Sequence, residues 1–107
     1  MKLLQSLKAL AEESRLKIIT LLLQEDHCVR SLAHRLDLSE AAVSQHLKVL
    51  READLVQGEK RGYWVHYQVQ EKVLASISGA LTRLPQEIEV PAECQQNHQG
   101  SCCQKDT

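Results

Sequence analysis

The sequence predicts a mainly α-helical fold that carries one small β-hairpin, and three observations support this prediction. Aliphatic residues recur at helical spacing before residue 55 and again over residues 70–84. The segment between them, LVQGEKRGYWVHYQV, places β-branched and aromatic residues around a glycine-flanked, charged GEKRG tip, which predicts a hairpin. The chain has no Phe and only one Trp, so its core is expected to be aliphatic.

The order of the predicted elements defines the fold. Apolar stripes predict helices at residues 3–10, 13–24, 29–36, 40–53 and 70–84. Ser39 is a good N-cap for the fourth helix, and Pro85 ends the fifth. A short helix, a three-residue turn and a capped helix form a helix-turn-helix, and the hairpin directly after it makes the motif winged. We therefore predict a winged helix-turn-helix.

The length of the chain, 107 residues, suits one domain, which we predict to span residues 1–84. Pro91 and the polar run after it predict that residues 85–107 form a flexible tail. A domain this small buries only about 60–65% of its unfolded surface, so a shared core would stabilise it. We therefore predict a homodimer joined by the Leu-rich first and last helices, although the same faces suit an ordinary core.

The beginning of the chain, MKLLQSLKAL, is interrupted by polar residues and reads as an amphipathic helix, not as a signal peptide. The longest apolar run, IITLLL, is far too short to cross a bilayer. We expect a soluble, cytoplasmic protein with no membrane partner. Four cysteines in a reducing compartment indicate metal or redox chemistry before structural disulfides.

Residues 8–69 resemble the ArsR/SmtB family of winged-helix repressors. The most specific pieces are LSEAAVSQHLKVLREADLV and the hairpin KRGYWVHYQV. The resemblance implies a homodimer joined by its first and last helices. It also implies binding to double-stranded operator DNA without inducer, and release when a metal or metalloid binds.

The fourth helix is the predicted DNA-reading element. With Val43, Leu47 and Leu50 facing the core, the opposite stripe of this helix is free to meet DNA. Gln can read adenine with two hydrogen bonds, Ser and Ala can meet base edges, and Lys suits phosphate; an Arg at the wing tip suits phosphate or a minor groove. The predicted DNA-binding residues are Ser39, Ala41, Ser44, Gln45, Lys48 and Arg61. The alternative is an ordinary solvated surface, and the net charge of −1 does not decide between the two.

Two sensor sites that the resemblance implies are incomplete in this sequence. A CVC pattern at the start of the third helix is replaced by HCVRS, where Cys28 matches and Arg30 takes the place of the second cysteine. A site of Asp and His ligands on the last helix is absent, because that helix has neither residue and keeps only Glu71.

The tail holds the predicted metal site, formed by Cys94, Cys102 and Cys103 in the polar stretch ECQQNHQGSCCQKDT. Three thiolates suit a three-coordinate thiophilic centre such as As(III), with Sb(III) and Cd(II) as related inducers. Zn(II) prefers a fourth ligand, which His98 or Cys28 could supply. We predict a repressor that As(III) or a similar ion releases from its operator, with no organic cofactor.

The sequence also allows other roles for the tail thiols. Neighbouring Cα atoms such as those of Cys102 and Cys103 are about 3.8 Å apart, below the usual disulfide range of about 4.4–6.8 Å. Cys94 could instead pair with either one, which would make the tail a redox or persulfide switch. The thiols could also be idle. An enzyme is not expected, because the sequence has no Cys-x-x-Cys and no acid and base beside the thiols.

Overall fold

The computed structural model describes residues 2–92 of the chain. Its helices are α1 (Lys2–Leu10), α2 (Glu13–Gln24), α3 (Val29–Leu36), α4 (Glu40–Glu52), α5 (Glu71–Leu81) and α6 (Leu84–Glu87). Its strands are β1 (His27–Cys28), β2 (Val56–Arg61) and β3 (Trp64–Val69). This order confirms the predicted winged helix-turn-helix. No helix among residues 2–92 has the length and apolar content that a bilayer crossing requires.

The core is aliphatic, as predicted, and the helix-turn-helix supplies most of it. The largest fully buried side chains come from α2, α3, α4, the residue before β2 and the start of β2: Ile18, Leu32, Val43, Leu47, Leu50, Leu55 and Val56. Helices α1 and α5 contribute Ala9, Ile77 and Ala80. Because α2, α3 and α4 bury their apolar faces against one another, the three helices form one packed unit.

The turn between α3 and α4 has the three residues that the sequence predicts. Asp37 ends α3 in the left-handed conformation, with φ 56° and ψ 47°, and the Leu38 N–H donates to the Ala33 carbonyl over 3.0 Å. This is the hydrogen bond of a Schellman motif. Ser39 then caps α4, because its Oγ accepts a hydrogen bond of 3.0 Å from the Ala42 N–H. The predicted N-cap is confirmed.

The sheet has three antiparallel strands in the order β1-β3-β2, one more than the sequence predicts. Strand β1 has two residues, and it places His27 opposite Tyr67 and Cys28 opposite His66. Two residues are too few to show an alternating pattern, so this strand has no signal of its own. It joins the start of α3 to the hairpin.

The tip of the hairpin differs from the prediction. Strand β2 continues through GEKR, and the turn consists of Gly62 and Tyr63 between the paired residues Arg61 and Trp64. Gly62 has φ +66°, as the first central residue of a type II′ turn does. Gly58 lies inside the ladder opposite Tyr67, where a Cβ atom would come within 2.8 Å of Val65 Cγ1. This glycine is required by close packing, not by a turn.

The last helix is shorter than the predicted stripe. Helix α5 ends at Leu81, and Pro85 does not end a helix but lies in the first turn of α6, where proline is tolerated. The buried face of α5 is carried by Ile77 and Ala80, while Leu81 is exposed. On α2, the buried row includes Ile18, and two leucines of the predicted stripe, Leu16 and Leu23, are exposed.

Replacing Ser39 by Ala is expected to lower the free energy of unfolding by about 1 kcal/mol, because the Ala42 N–H loses its capping acceptor. The measurement is urea unfolding followed by circular dichroism, with the protein concentration held constant. Ser44→Ala is the matched control on the same helix, and it should change stability by less than about 0.5 kcal/mol. Equal losses in the two variants would contradict the capping role.

Candidate nucleic-acid interface

The rotation of α4 is fixed by its buried row. Val43, Leu47 and Leu50 are essentially inaccessible to solvent, and they pack against α2 and α3. Positions two residues away from this row lie on the other side of the helix. There the structure brings together Ala41, Gln45 and Lys48, with Ser44 at the edge of the row, and all four predicted contact residues are exposed.

The side chains of this exposed row offer four chemically different kinds of contact. The Gln45 amide has both donors and an acceptor, Ser44 adds a hydroxyl, Ala41 adds a methyl group, and Lys48 adds a positive charge. Glu52 is also exposed and continues the row one turn after Lys48. A carboxylate there repels a polyanion, so the N-terminal three turns of α4 are the part suited to nucleic acid.

Ser39 lies at the N-terminus of the same helix and is exposed. Its Oγ already accepts the capping hydrogen bond from the Ala42 N–H. The hydroxyl hydrogen remains available to donate, for example to a phosphate oxygen. The residue can therefore cap the helix and contact a phosphate at the same time.

His46 connects α4 to the α1–α2 connection through polar contacts. Its Nδ1 lies 3.3 Å from Arg15 Nη1 and 3.8 Å from Glu12 Oε1. The Arg15 Nε–H in turn donates to the Ala9 carbonyl over 2.6 Å. These contacts tie α4 to the end of α1, which limits how the exposed row can tilt.

Arg61 lies on the wing, at the last position of β2, and it is already engaged by carboxylates. Its Nη2 donates to Glu59 Oε1 over 2.7 Å and to Asp26 Oδ2 over 2.9 Å. The hydrogen bond to Glu59, and then that to Asp26, raise the pKa of Arg61 above its ordinary value. The structure thus places Arg61 beside the turn, as predicted, but within an ion-pair network that the sequence pattern does not show.

The outermost residue of the wing is Tyr63, a candidate contact that the sequence analysis misses. Its side chain is 98% exposed at the second turn position, and it lines a shallow concavity with Lys60 and Gly62. An aromatic ring and a lysine beside the turn suit contact with a nucleic-acid backbone. The signal was present in RGYWV, because a two-residue turn at Gly62–Tyr63 would have placed Tyr63 at the tip. Trp64 is partly exposed, whereas Tyr67 packs against the core.

Cysteine and histidine residues do not form a metal site within residues 2–92. In this part of the chain, no group of three or more His, Cys, Asp or Glu side chains is placed so that it could hold a metal ion. Cys28 is a free, half-buried residue at the N-cap of α3, and Arg30 beside it is exposed. The predicted ligands Cys94, Cys102 and Cys103, and also His98, lie outside the described residues.

Comparison with known proteins gives the family. Residues 12–57, which contain the whole helix-turn-helix, match the family described as "Bacterial regulatory protein, arsR family". A solved structure of an ArsR-like transcriptional regulator from Rhodococcus sp. RHA1 is similar with a TM-score of 0.73 and 32% identity. That match covers 80% of this chain and 81% of the other. The two regulators thus share the same fold over most of their length.

Several curated relatives align with about two thirds or more of this chain, and two of them illustrate the similarity. The Escherichia coli arsenical resistance operon repressor is 41% identical over 73 residues, which are 67% of this chain and 62% of that protein. The Vibrio cholerae transcriptional activator HlyU is 40% identical over 78 residues, which are 73% and 72% of the two chains. The relatives are transcriptional regulators and not enzymes. The chain therefore belongs to the arsR family of bacterial regulatory proteins.

Proposed function

We propose that this protein is a homodimeric transcriptional repressor that binds operator DNA and leaves it when a thiophilic ion binds. The observation that carries the DNA-binding part is the exposed row Ala41, Ser44, Gln45 and Lys48, held opposite a fully buried row on α4. In a winged helix-turn-helix, the N-terminal part of this second helix is the part that meets base edges in the major groove. The proposed function also requires a cytoplasmic location, where the operator is.

The inducer we propose is As(III), bound by Cys94, Cys102 and Cys103. Soft thiolates select soft ions, and three of them match a three-coordinate centre; Sb(III) and Cd(II) are the related candidates, and Zn(II) needs a fourth ligand. The arsenical resistance operon repressor among the relatives supports this choice. HlyU is named as an activator, so repression is part of our proposal and does not follow from the family alone.

The homodimer proposal is supported by apolar side chains exposed near the two ends of the described chain. Leu4 on α1, Leu81 on α5 and Leu84 on α6 are each between 38% and 46% exposed. Helices α1 and α5 contact each other, so these side chains can contribute to one surface. A second copy covering that surface would remove them from water, and it would supply a second recognition helix for a pseudo-palindromic site.

Replacing Gln45 by Ala is expected to relax sequence preference at one base pair, at a cost of about 1–3 kcal/mol for the preferred base. The physical reason is the loss of an amide that both donates to and accepts from a base edge. The measurement is fluorescence anisotropy with the duplex that the wild-type protein selects from a random library, with its single-base variants, and with a random duplex.

Lys48→Ala is the matched comparison on the same exposed row. It should weaken binding to specific and random duplexes alike, and it should reduce the salt slope by about 0.9 if one phosphate contact is lost. Equal losses on specific and random DNA for Gln45→Ala would contradict its assignment as a base-reading residue.

Replacing Leu81 by Asp is expected to convert a dimer into a monomer at micromolar concentration, because a charge would be buried without a partner in the proposed interface. Sedimentation velocity measures the change, with circular dichroism to verify folding. Leu23→Asp is the matched control, because Leu23 is similarly exposed, at 49%, but lies on α2. A wild-type monomer would contradict the proposal, and dissociation by Leu23→Asp alone would move the interface to α2.

A chain cut after Pro91 is expected to bind the selected duplex with wild-type affinity and to ignore arsenite. Cys102→Ser and Cys103→Ser should also lose most of the response, because two thiolates hold the ion less well than three. The measurement is anisotropy with and without arsenite under reducing conditions.

Cys28→Ser is the matched control, and it should keep the full response to arsenite. If the truncated protein still leaves DNA on adding arsenite, the tail is not the sensor. Mass spectrometry after peroxide or polysulfide treatment tests the redox alternative: a disulfide or polysulfide link from Cys94 to Cys102 or Cys103, formed together with DNA release, would favour it over As(III).

A further inference from the structure

The outer face of the wing carries a small network of polar side chains with a net negative charge. Gln57, Glu59 and Arg61 share this face of β2, because alternate residues of a strand point to the same side. Gln68 of β3 lies on the same face, opposite Gln57. Asp26 joins the network from the residue before β1. We name Asp26 and Glu59 the wing carboxylates.

The contacts of Arg61 with the wing carboxylates are close and numerous. Its Nε donates to Glu59 Oε1 over 3.1 Å, and its Nη2 donates to Glu59 Oε1 over 2.7 Å and to Asp26 Oδ2 over 2.9 Å. The Gln68 Nε2 also donates to both carboxylates, over 3.2 Å to Asp26 and 3.1 Å to Glu59. One guanidinium faces two carboxylates, so the network has a net charge of −1.

The network directs the Arg61 side chain away from the wing tip. Arg61 is paired with Trp64 beside the turn, whereas Asp26 lies beside Gln68, four residues further along β3. Four residues of a strand span roughly 13 Å. The guanidinium therefore turns back from the turn towards the body of the sheet.

A DNA phosphate would compete for the same donors. Arg binds phosphate and carboxylate with the same planar fork of N–H groups, and in this structure the Nε and Nη2 donors are directed to carboxylate oxygens. For Arg61 to present these two groups to a phosphate, its hydrogen bonds to the wing carboxylates must break. The carboxylates and the DNA therefore exclude each other as partners of that edge of Arg61.

We propose that Asp26 and Glu59 compete with the DNA backbone for Arg61, and that this competition lowers both the affinity for DNA and its dependence on salt. This inference rests on the proposed function, because it takes Arg61 as a phosphate ligand. It assigns to Asp26 and Glu59 a regulatory role in DNA binding, although neither residue needs to touch the DNA.

The expected size follows from what exposed ion pairs contribute. The side chains of Asp26, Glu59 and Arg61 are 35–56% exposed, and one such pair changes an equilibrium constant by about 1.4- to 5-fold. A phosphate contact normally adds about 0.9 to the salt slope. When Arg61 leaves the wing carboxylates, they become free anions that attract cations, and this uptake offsets part of the release from the DNA.

The test is a double-mutant cycle on the full chain. The double variant Asp26→Asn, Glu59→Gln keeps the shape of both side chains and removes both charges. We expect it to bind the selected duplex about 3- to 10-fold more tightly than the wild type, with a salt slope that is steeper by up to about 0.9. In an Arg61→Ala background the same two changes should give less than half of that gain on a logarithmic scale, because only their plain repulsion from DNA remains.

Three controls make the outcome decisive. Glu13→Gln removes one charge from a similar exposed pair, 2.9 Å from Lys17 on α2, and it should change binding by less than about 2-fold. Arg61→Gln replaces Arg61→Ala if circular dichroism shows misfolding. The Nε–H resonance of Arg61 in ¹⁵N spectra should shift in the double variant and on adding DNA to the wild type.

The cycle separates this inference from the proposed function. If the double change raises the DNA affinity equally in the wild-type and Arg61→Ala backgrounds, the inference is overturned, and charge repulsion between the carboxylates and DNA explains the effect. If it raises the affinity more in the Arg61→Ala background, the carboxylates instead position Arg61 for DNA, and the inference is also overturned. Either result leaves operator binding intact. A wild-type protein that prefers no duplex over random DNA would overturn the proposed function, and the inference with it.

Discussion

The packing of Val43, Leu47 and Leu50 into the cleft between α2 and α3 is the interaction on which the proposed DNA-binding surface depends. All three side chains are buried essentially completely, so rotating α4 about its axis would expose large aliphatic groups at a cost of about 1.5–3 kcal/mol each. This cost fixes the orientation of Gln45 on the other side. The cap at Ser39 and the brace between His46 and Arg15 then limit fraying and tilt, so the proposed contacts are displayed from a rigid helix.

The wing depends on the same core through different contacts. Val56 at the start of β2 is buried, and Tyr67 and Val69 of β3 pack against the hydrophobic cluster. Strand β1 adds a third strand and connects the sheet to the first residue of α3. The wing and the helix-turn-helix are therefore joined twice, once after α4 and once before α3. A change at the wing carboxylates would thus act at a site that is connected to α4, the proposed DNA-reading helix, by direct structural contacts.

The sequence predicts the helices well where their apolar period is strong, and less well where tertiary contacts decide. The row on α4 and the cap at Ser39 follow from spacing alone. The need for glycine at position 58 does not follow from spacing, because a side chain there would collide with Val65 on the neighbouring strand and no local turn is involved. The two-residue strand at Cys28 has a partner 38 positions away, at His66, and so leaves no local pattern. The network around Arg61 joins Glu59, two residues away, to Asp26, 35 residues away, and the contact with Asp26 likewise leaves no local pattern.

The low net charge of the chain suggests why carboxylates that lower DNA affinity would be useful in the proposed ligand-released repressor. A net charge of −1 supplies little general attraction to DNA, so on the proposed function the affinity would come from a few cations such as Lys48 and Arg61. An inducer can change DNA affinity only by its coupling free energy, which is typically about 1–3 kcal/mol. A coupling this small can release the protein from its operator only if the affinity without inducer is just high enough to keep the operator occupied. On the proposed function, carboxylates that restrain a phosphate-binding arginine would keep the affinity moderate, so that the thiolate-bound ion would release the DNA more completely at a given protein concentration.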